Sequence, residues 1–155
     1  KKIEAQVNFM IKKKILISHT DYKIINNGFF DSQIRKARNF ESVNDLINSC
    51  DIGLSTAIIS KKILKKVKFP SLKTKEDFVF WLKHLQLGNK IFSFNRCLTY
   101  WYKTKGSLSS NFLQKIFDGY KVYRNYMNYG VIKSLICLFI LSKNYLLKNF
   151  KWKTL

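Results

Sequence analysis

Thr74-Lys75-Glu76-Asp77-Phe78-Val79-Phe80-Trp81-Leu82 joins a lysine-dense stretch to an apolar helical pattern, and its reading decides the fold. The chain has 29 Lys and Arg but only 9 Asp and Glu, so two adjacent acids stand out. Phe78, Trp81, Leu82 and Leu85 recur at helical spacing, and Gly88 supplies a stop, so residues 75–87 are predicted to form a helix. Two readings of the acids stay open. Thr74-x-x-Asp77 fits a capping box, and an acid in a first turn gains from the helix dipole. A carboxylate held at a rigid helix start is equally a place for a general base.

Working outward, residues 61–75 carry seven lysines and should be solvated. Before them, Asp51-Ile52-Gly53-Leu54-Ser55-Thr56-Ala57-Ile58-Ile59-Ser60 reads as a buried strand with a small-residue first half. Gly53 permits close backbone approach by a ligand, and Ser55 and Thr56 add hydroxyls; ordinary strand-edge chemistry explains the same residues. Residues 1–11 read as a helix. Ile15-Leu16-Ile17-Ser18 and Tyr22-Lys23-Ile24-Ile25 read as strands, closed by an Asn26-Asn27-Gly28 turn. Ser42-Val43-Asn44-Asp45 is a capping box for a short helix through Ile47. After Gly88, residues 90–94 and 98–103 are strand-like. Lys103-Thr104-Lys105-Gly106-Ser107-Leu108-Ser109 is a basic turn entering a helix that runs to about Tyr129. Such a turn suits a phosphate, through Lys105 and Ser107, although Ser107 could simply cap the helix.

Strands and helices alternate without repeats, so the expected class is α/β with a short mixed sheet and a helical C-terminal tail. One domain is expected over residues 1–129, with a basic amphipathic tail over 130–155. Leu135-Ile136-Cys137-Leu138-Phe139-Ile140-Leu141 is too short an apolar run to span a membrane, which takes ~20 residues. It fits an interfacial helix or one packed on the domain. A helix already under way at Lys1 leads us to expect a piece of a longer protein.

A formal charge of +20 implies a polyanionic partner or an anionic membrane surface, although lysine-rich composition alone could supply much of it. Aromatics interleaved with basic residues, as in residues 120–129, keep a non-enzymatic nucleic-acid-binding module as the rival reading. That partner is not expected, because the lysines are dispersed and no nucleic-acid motif is present. Cys50, Cys97 and Cys137 are far apart, and His19 and His84 are isolated, so no metal site or disulfide framework is expected. There is no signal-peptide pattern at the start, and a cytoplasmic setting is expected.

Taken in order, Ile52-Gly53-Leu54-Ser55-Thr56-Ala57-Ile58-Ile59, Phe69-Pro70, Glu76-Asp77-Phe78-Val79-Phe80-Trp81-Leu82, Gly88 and residues 100–109 resemble the second half of bacterial family 2 glycosyltransferases. These enzymes build surface polysaccharides. The resemblance implies a partial GT-A (Rossmann-like) domain, an inverting mechanism, a nucleotide-sugar donor and a glycan or lipid-linked acceptor. It makes Asp77 the general base with Glu76 in support. Gly53, Ser55, Thr56, Trp81, Lys105 and Ser107 would line the substrate cleft. It also implies a divalent metal (Mg or Mn) in the full-length enzyme, with ligands outside this chain, and a peripheral position at the inner face of the cell membrane. The chain departs from the pattern in two places. No Asp-x-Asp occurs, and the turn after the aromatic strand has no His. The chain alone is therefore expected to be inactive, either as half of an enzyme or as an inactive remnant.

Overall fold

A computed structural model of the chain describes residues 1–26, 34–103 and 111–150. The first helix, α1, spans Lys2–Lys13 and leads into β1, Ile17–Asn26. Where two short strands were expected at residues 15–18 and 22–25, one continuous strand forms, because the polar His19-Thr20-Asp21 between them is also buried. The expected turn at Asn26-Asn27-Gly28 extends outside the described residues. Next come β2 (Ile34–Arg35) and α2 (Val43–Leu46). The Ser42–Asp45 capping box forms as predicted: Asp45 Oδ2 accepts the Ser42 N–H at 2.8 Å and the Glu41 N–H at 2.9 Å.

Residues 51–60 form much less strand than their composition suggests. Leu54–Thr56 is a 3₁₀ turn, and only Ile58–Ile59 pairs, as β3. Thr56 Oγ1 donates to the Gly53 carbonyl at 2.6 Å and closes the turn, so the hydroxyl that looked like strand chemistry competes with the ladder. Helix α3 (Lys61–Leu64) follows, capped by Ser60 and anchored by buried Ile63. Helix α4 spans Glu76–Gln86, β4 spans Phe92–Lys103, and α5 spans Phe112–Lys121. A π turn at Val122–Tyr126 ends the run expected to reach Tyr129, and α6 covers Val131–Phe150.

The described strands make one four-stranded mixed sheet around β1. On one edge β4 runs parallel to β1 from Ser18↔Phe92 to Asn26↔Lys103. On the other edge β3 pairs antiparallel at Ile17 and Ser18, and β2 at Tyr22 and Lys23. The β1–β4 register shifts on both sides of Asp21, so β4 carries extra residues there. Such irregularities twist a strand locally and re-aim its side chains. Asp21 is buried beside the shift, its carboxylate accepting from Ala37 N–H at 2.7 Å and pairing with Lys36 at 3.1 Å. The buried Gln6 amide of α1 donates to Ser18 O (3.1 Å), Ser18 Oγ (2.9 Å) and Thr56 O (3.1 Å), which fixes α1 to the sheet and the 3₁₀ turn.

Helix α4 is the centre of the core. The sequence predicts one buried face, but Phe78, Val79, Phe80, Trp81, Leu82, His84 and Leu85 are all buried. A helix buried on most sides must be covered by several elements. Phe69 stacks on Phe80 at 4.2 Å, Tyr123 meets Phe78 edge-on at 6.5 Å, and Ile17, Phe40, Leu46 and Ile91 complete the cluster.

Candidate active site

The acid pair lies at the start of α4. The predicted capping box there does not form. Lys75, not Thr74, is the N-cap residue, and it takes the left-handed conformation at φ 68°. Thr74 is instead turned inward, donating its N–H (2.8 Å) and its Oγ1–H (2.9 Å) to Asp118 Oδ2. A buried carboxylate on another helix outcompetes the local cap, because it satisfies two otherwise buried donors at once. Asp118 is itself buried. Burial alone would raise its carboxyl, but hydrogen bonds from Gln114 and Thr74 hold it below the usual range.

With Thr74 pinned, Glu76 and Asp77 open the helix. Both are half-buried. Burial pushes the Asp77 carboxyl above its ordinary value, and the neighbouring Glu76 charge adds to the rise. Against these, the Phe78 N–H donates to Asp77 Oδ1 at 2.8 Å, and the Lys75 charge favours the carboxylate. A carboxylate made more basic than usual, at a fixed helix start, is what proton abstraction from a hydroxyl asks for.

Around Asp77 lie residues that its own helix does not supply. Tyr22 of β1 is raised chiefly by burial, with the charges of Asp51 and Asp77 adding to it. Burial pushes the Cys50 thiol up to about 12 against the pull of Lys75, so it stays protonated. Gly53 belongs to the same wall: a Cβ built on it would lie 3.8 Å from the Tyr22 ring and 3.4 Å from Thr56 Cγ2. Asp51, next to Cys50, would be raised by burial, but hydrogen bonds from Lys148 and Ser49 and the charges of Lys148 and Arg38 bring it below the ordinary value. Two carboxyls near one thiol are thus pushed in opposite directions, Asp51 toward the ion and Asp77 toward the acid.

The residues singled out from sequence separate into groups. Glu76, Asp77 and Gly53 share this neighbourhood. Thr56 is buried and spends its hydroxyl on Gly53, while Ser55 is exposed on the 3₁₀ turn. Trp81 is only 2% exposed and packs edge-on against Phe80 at 4.9 Å, so it belongs to the core beneath the site. Its indole N–H has no partner among the described residues. Lys105 and Ser107 lie outside the described residues. Tyr22, Cys50 and Asp51 were not singled out; the Cys50-Asp51 pair directly before Ile52-Gly53 was the available signal. Lys148, 97 residues from Asp51, had no local signal. Among the described residues no three His, Cys, Asp or Glu side chains come together as a metal site. They do not fit a divalent cation.

Comparison with known proteins supplies the chemical context. No protein-family model and no solved structure matches the chain. Curated proteins do. The chain is 28% identical over 148 residues to the Escherichia coli UDP-Glc:alpha-D-GlcNAc-diphosphoundecaprenol beta-1,3-glucosyltransferase WfaP, covering 96% of this chain and 58% of that protein. It is 25% identical over 144 residues to the Bacillus subtilis putative teichuronic acid biosynthesis glycosyltransferase TuaG, covering 92% and 57%. A third relative, the E. coli glucosyltransferase WfgD, is 31% identical over 88 residues, 57% of this chain and 34% of that protein. The chain thus spans less than two thirds of the curated relatives it matches. Across most of its length, this chain is similar to bacterial glycosyltransferases.

Proposed function

We propose that residues 1–155 form the acceptor-side portion of an inverting family 2 glycosyltransferase of GT-A fold, with Asp77 as general base. The observation that carries this reading is the raised, half-buried Asp77 carboxyl at the start of α4, in a chain similar to glycosyltransferases. The acceptor hydroxyl gives its proton to Asp77 while its oxygen attacks the anomeric carbon of a nucleotide sugar. The bond to the diphosphate breaks, and the nucleoside diphosphate leaves with the electron pair. Glu76 keeps Asp77 basic, and Tyr22 with Gly53 forms the wall beside it. The acceptor class is a lipid-linked or surface-polysaccharide glycan, and the enzyme works at the inner face of the cell membrane. A divalent cation (Mg or Mn) on the departing diphosphate belongs to the same proposal, with ligands outside this chain. Residues 1–155 alone then lack the donor site and should not turn over; sugar transfer by them alone would overturn that part.

The test is Asp77→Asn in the native-length protein, assayed with nucleotide sugars and a lipid-diphosphate glycan acceptor. Turnover should fall by about 10²–10⁴-fold, the usual worth of a positioned base, while donor binding persists. Unchanged turnover would remove Asp77 from the role.

A further inference from the structure

Helices α5 and α6 lie antiparallel and side by side. A Cβ on Gly119 would come within 2.8 Å of Leu138 Cδ1, and Lys115 Nζ lies 5.5 Å from the Tyr145 ring centre. The inward side of the pair is fully engaged, through Asp118, Ser134, Cys137 and Leu141. The outward side is apolar and open. On α5, Leu113 and Phe117 are 67% and 64% exposed; on α6, Ile132 and Phe139 are 77% and 70% exposed. Four- and seven-residue spacings set each pair on one stripe of its helix. Leu135 and Leu146 extend the α6 stripe and are also exposed. An open apolar patch on this scale marks an interaction site rather than ordinary surface.

Charge selects the partner. From residue 111 onward the only acid is Asp118, which is buried, whereas Lys115, Lys121, Arg124, Lys133 and Lys143 are carried on the same two helices and the turn between them. A second copy docked by two-fold symmetry would set this cationic face against itself. No helix among the described residues is long and apolar enough to cross a membrane. Apolar side chains on one stripe, rimmed by cations with no exposed acid, match an anionic bilayer surface.

We propose that the outward face of the α5–α6 pair is a lipid-docking surface, in which α5 inserts Leu113 and Phe117 beside Ile132 and Phe139 of α6, with the flanking lysines on anionic headgroups. This deepens the membrane-face part of the proposed function and does not depend on Asp77. The experiment is co-sedimentation of the native-length protein with phosphatidylcholine vesicles, with and without phosphatidylglycerol. Binding to the anionic vesicles is expected. Leu113→Ser with Phe117→Ser, or Ile132→Ser with Phe139→Ser, should each weaken it by about tenfold or more, since each variant removes two large inserted side chains. Ile3→Ser with Ile11→Ser, equally exposed on α1, should leave it unchanged. Circular dichroism checks that the variants are folded. No binding to anionic vesicles, or equal loss in the α1 control, would overturn the proposal. So would a native protein that is dimeric through this face, or one whose own further chain shields it from hydrogen exchange. Sugar transfer to a detergent-solubilised acceptor reads the catalytic proposal separately, because that assay needs no vesicle.

Discussion

Lys148, near the end of α6, ion-pairs with Asp51 in the loop beside Asp77, 97 residues earlier. Two further contacts reinforce this clasp: Asn144 Nδ2 donates to Asn48 O at 3.0 Å, and Tyr123 Oη donates to Ile47 O at 2.8 Å. The C-terminal helices therefore hold the loop that forms one wall of the candidate site. Asp51 sits below its ordinary value, so its contribution to stability is present above the unfolded carboxylate value and is lost as pH falls through the folded one. Lys148 is more than a third exposed, so Lys148→Met should cost only about 0.5–1 kcal/mol at pH 7. Urea midpoints for the two proteins should converge in acid. A gap that stays constant down to acid pH would exclude the clasp as its source.

For Asp77 the sign is reversed. A folded value above the unfolded one means that ionisation opposes folding as pH rises. Asp77→Asn should then unfold at a higher temperature than the wild type near neutrality, with the gain vanishing below the ordinary carboxylate range. Losing activity while gaining stability separates a functional carboxylate from a structural one. A melting temperature lowered at pH 7 would argue for a structural role.

Catalytic pH dependence follows from the same cause. The acid limb of kcat/KM should lie above the ordinary carboxylate range, with activity rising as Asp77 ionises. Glu76→Gln removes one source of that rise and should move the limb to lower pH. Profiles that superimpose would rule out Asp77 as the titrating group.

Asp118→Ala would leave the Thr74 N–H and hydroxyl buried without their acceptor. The expected cost is about 1–3 kcal/mol in denaturant unfolding. It should also reduce kcat, since Thr74 anchors the start of α4. A loss of stability with full kcat would show that the anchor is not needed for positioning.

Gly119 gives a packing test. Alanine is worth up to ~1 kcal/mol over glycine in a helix, but here its Cβ would press on Leu138 Cδ1. Gly119→Ala should be near neutral alone and stabilising in a Leu138→Ala background, as read by a double-mutant cycle. Additive effects would mean the helices are further apart than described.

The elements legible in the sequence were those specified locally. The Ser42–Asp45 box and the 76–86 helix each carry their own start and spacing signals within a few residues. The failures lie where a side-chain hydrogen bond, distant or local, overrides the pattern. Thr74 had a capping partner three residues away but takes Asp118, 44 residues on. The 51–60 strand was read from β-branched composition, and the Thr56 hydroxyl bond to Gly53 turned half of it into a 3₁₀ turn. Asp77 could be found because scarcity of acids made it visible. Its neighbour Tyr22 could not, since only the sheet pairing of β1 brings it there; Asp51 had a local signal beside Gly53, but its partner Lys148 had none.

Lys75 holds φ at 68°, where a side chain is strained and glycine is at ease. Its ammonium lies 5.9 Å from the Phe78 ring and favours the ionised form of Asp77. With Asp77→Asn that charge has no carboxylate left to favour, so a screen that ranks variants by melting temperature would select Asp77→Asn first and Lys75→Gly after it. Heat resistance alone would steer such an optimisation toward a sturdier protein without the carboxylate proposed as its base.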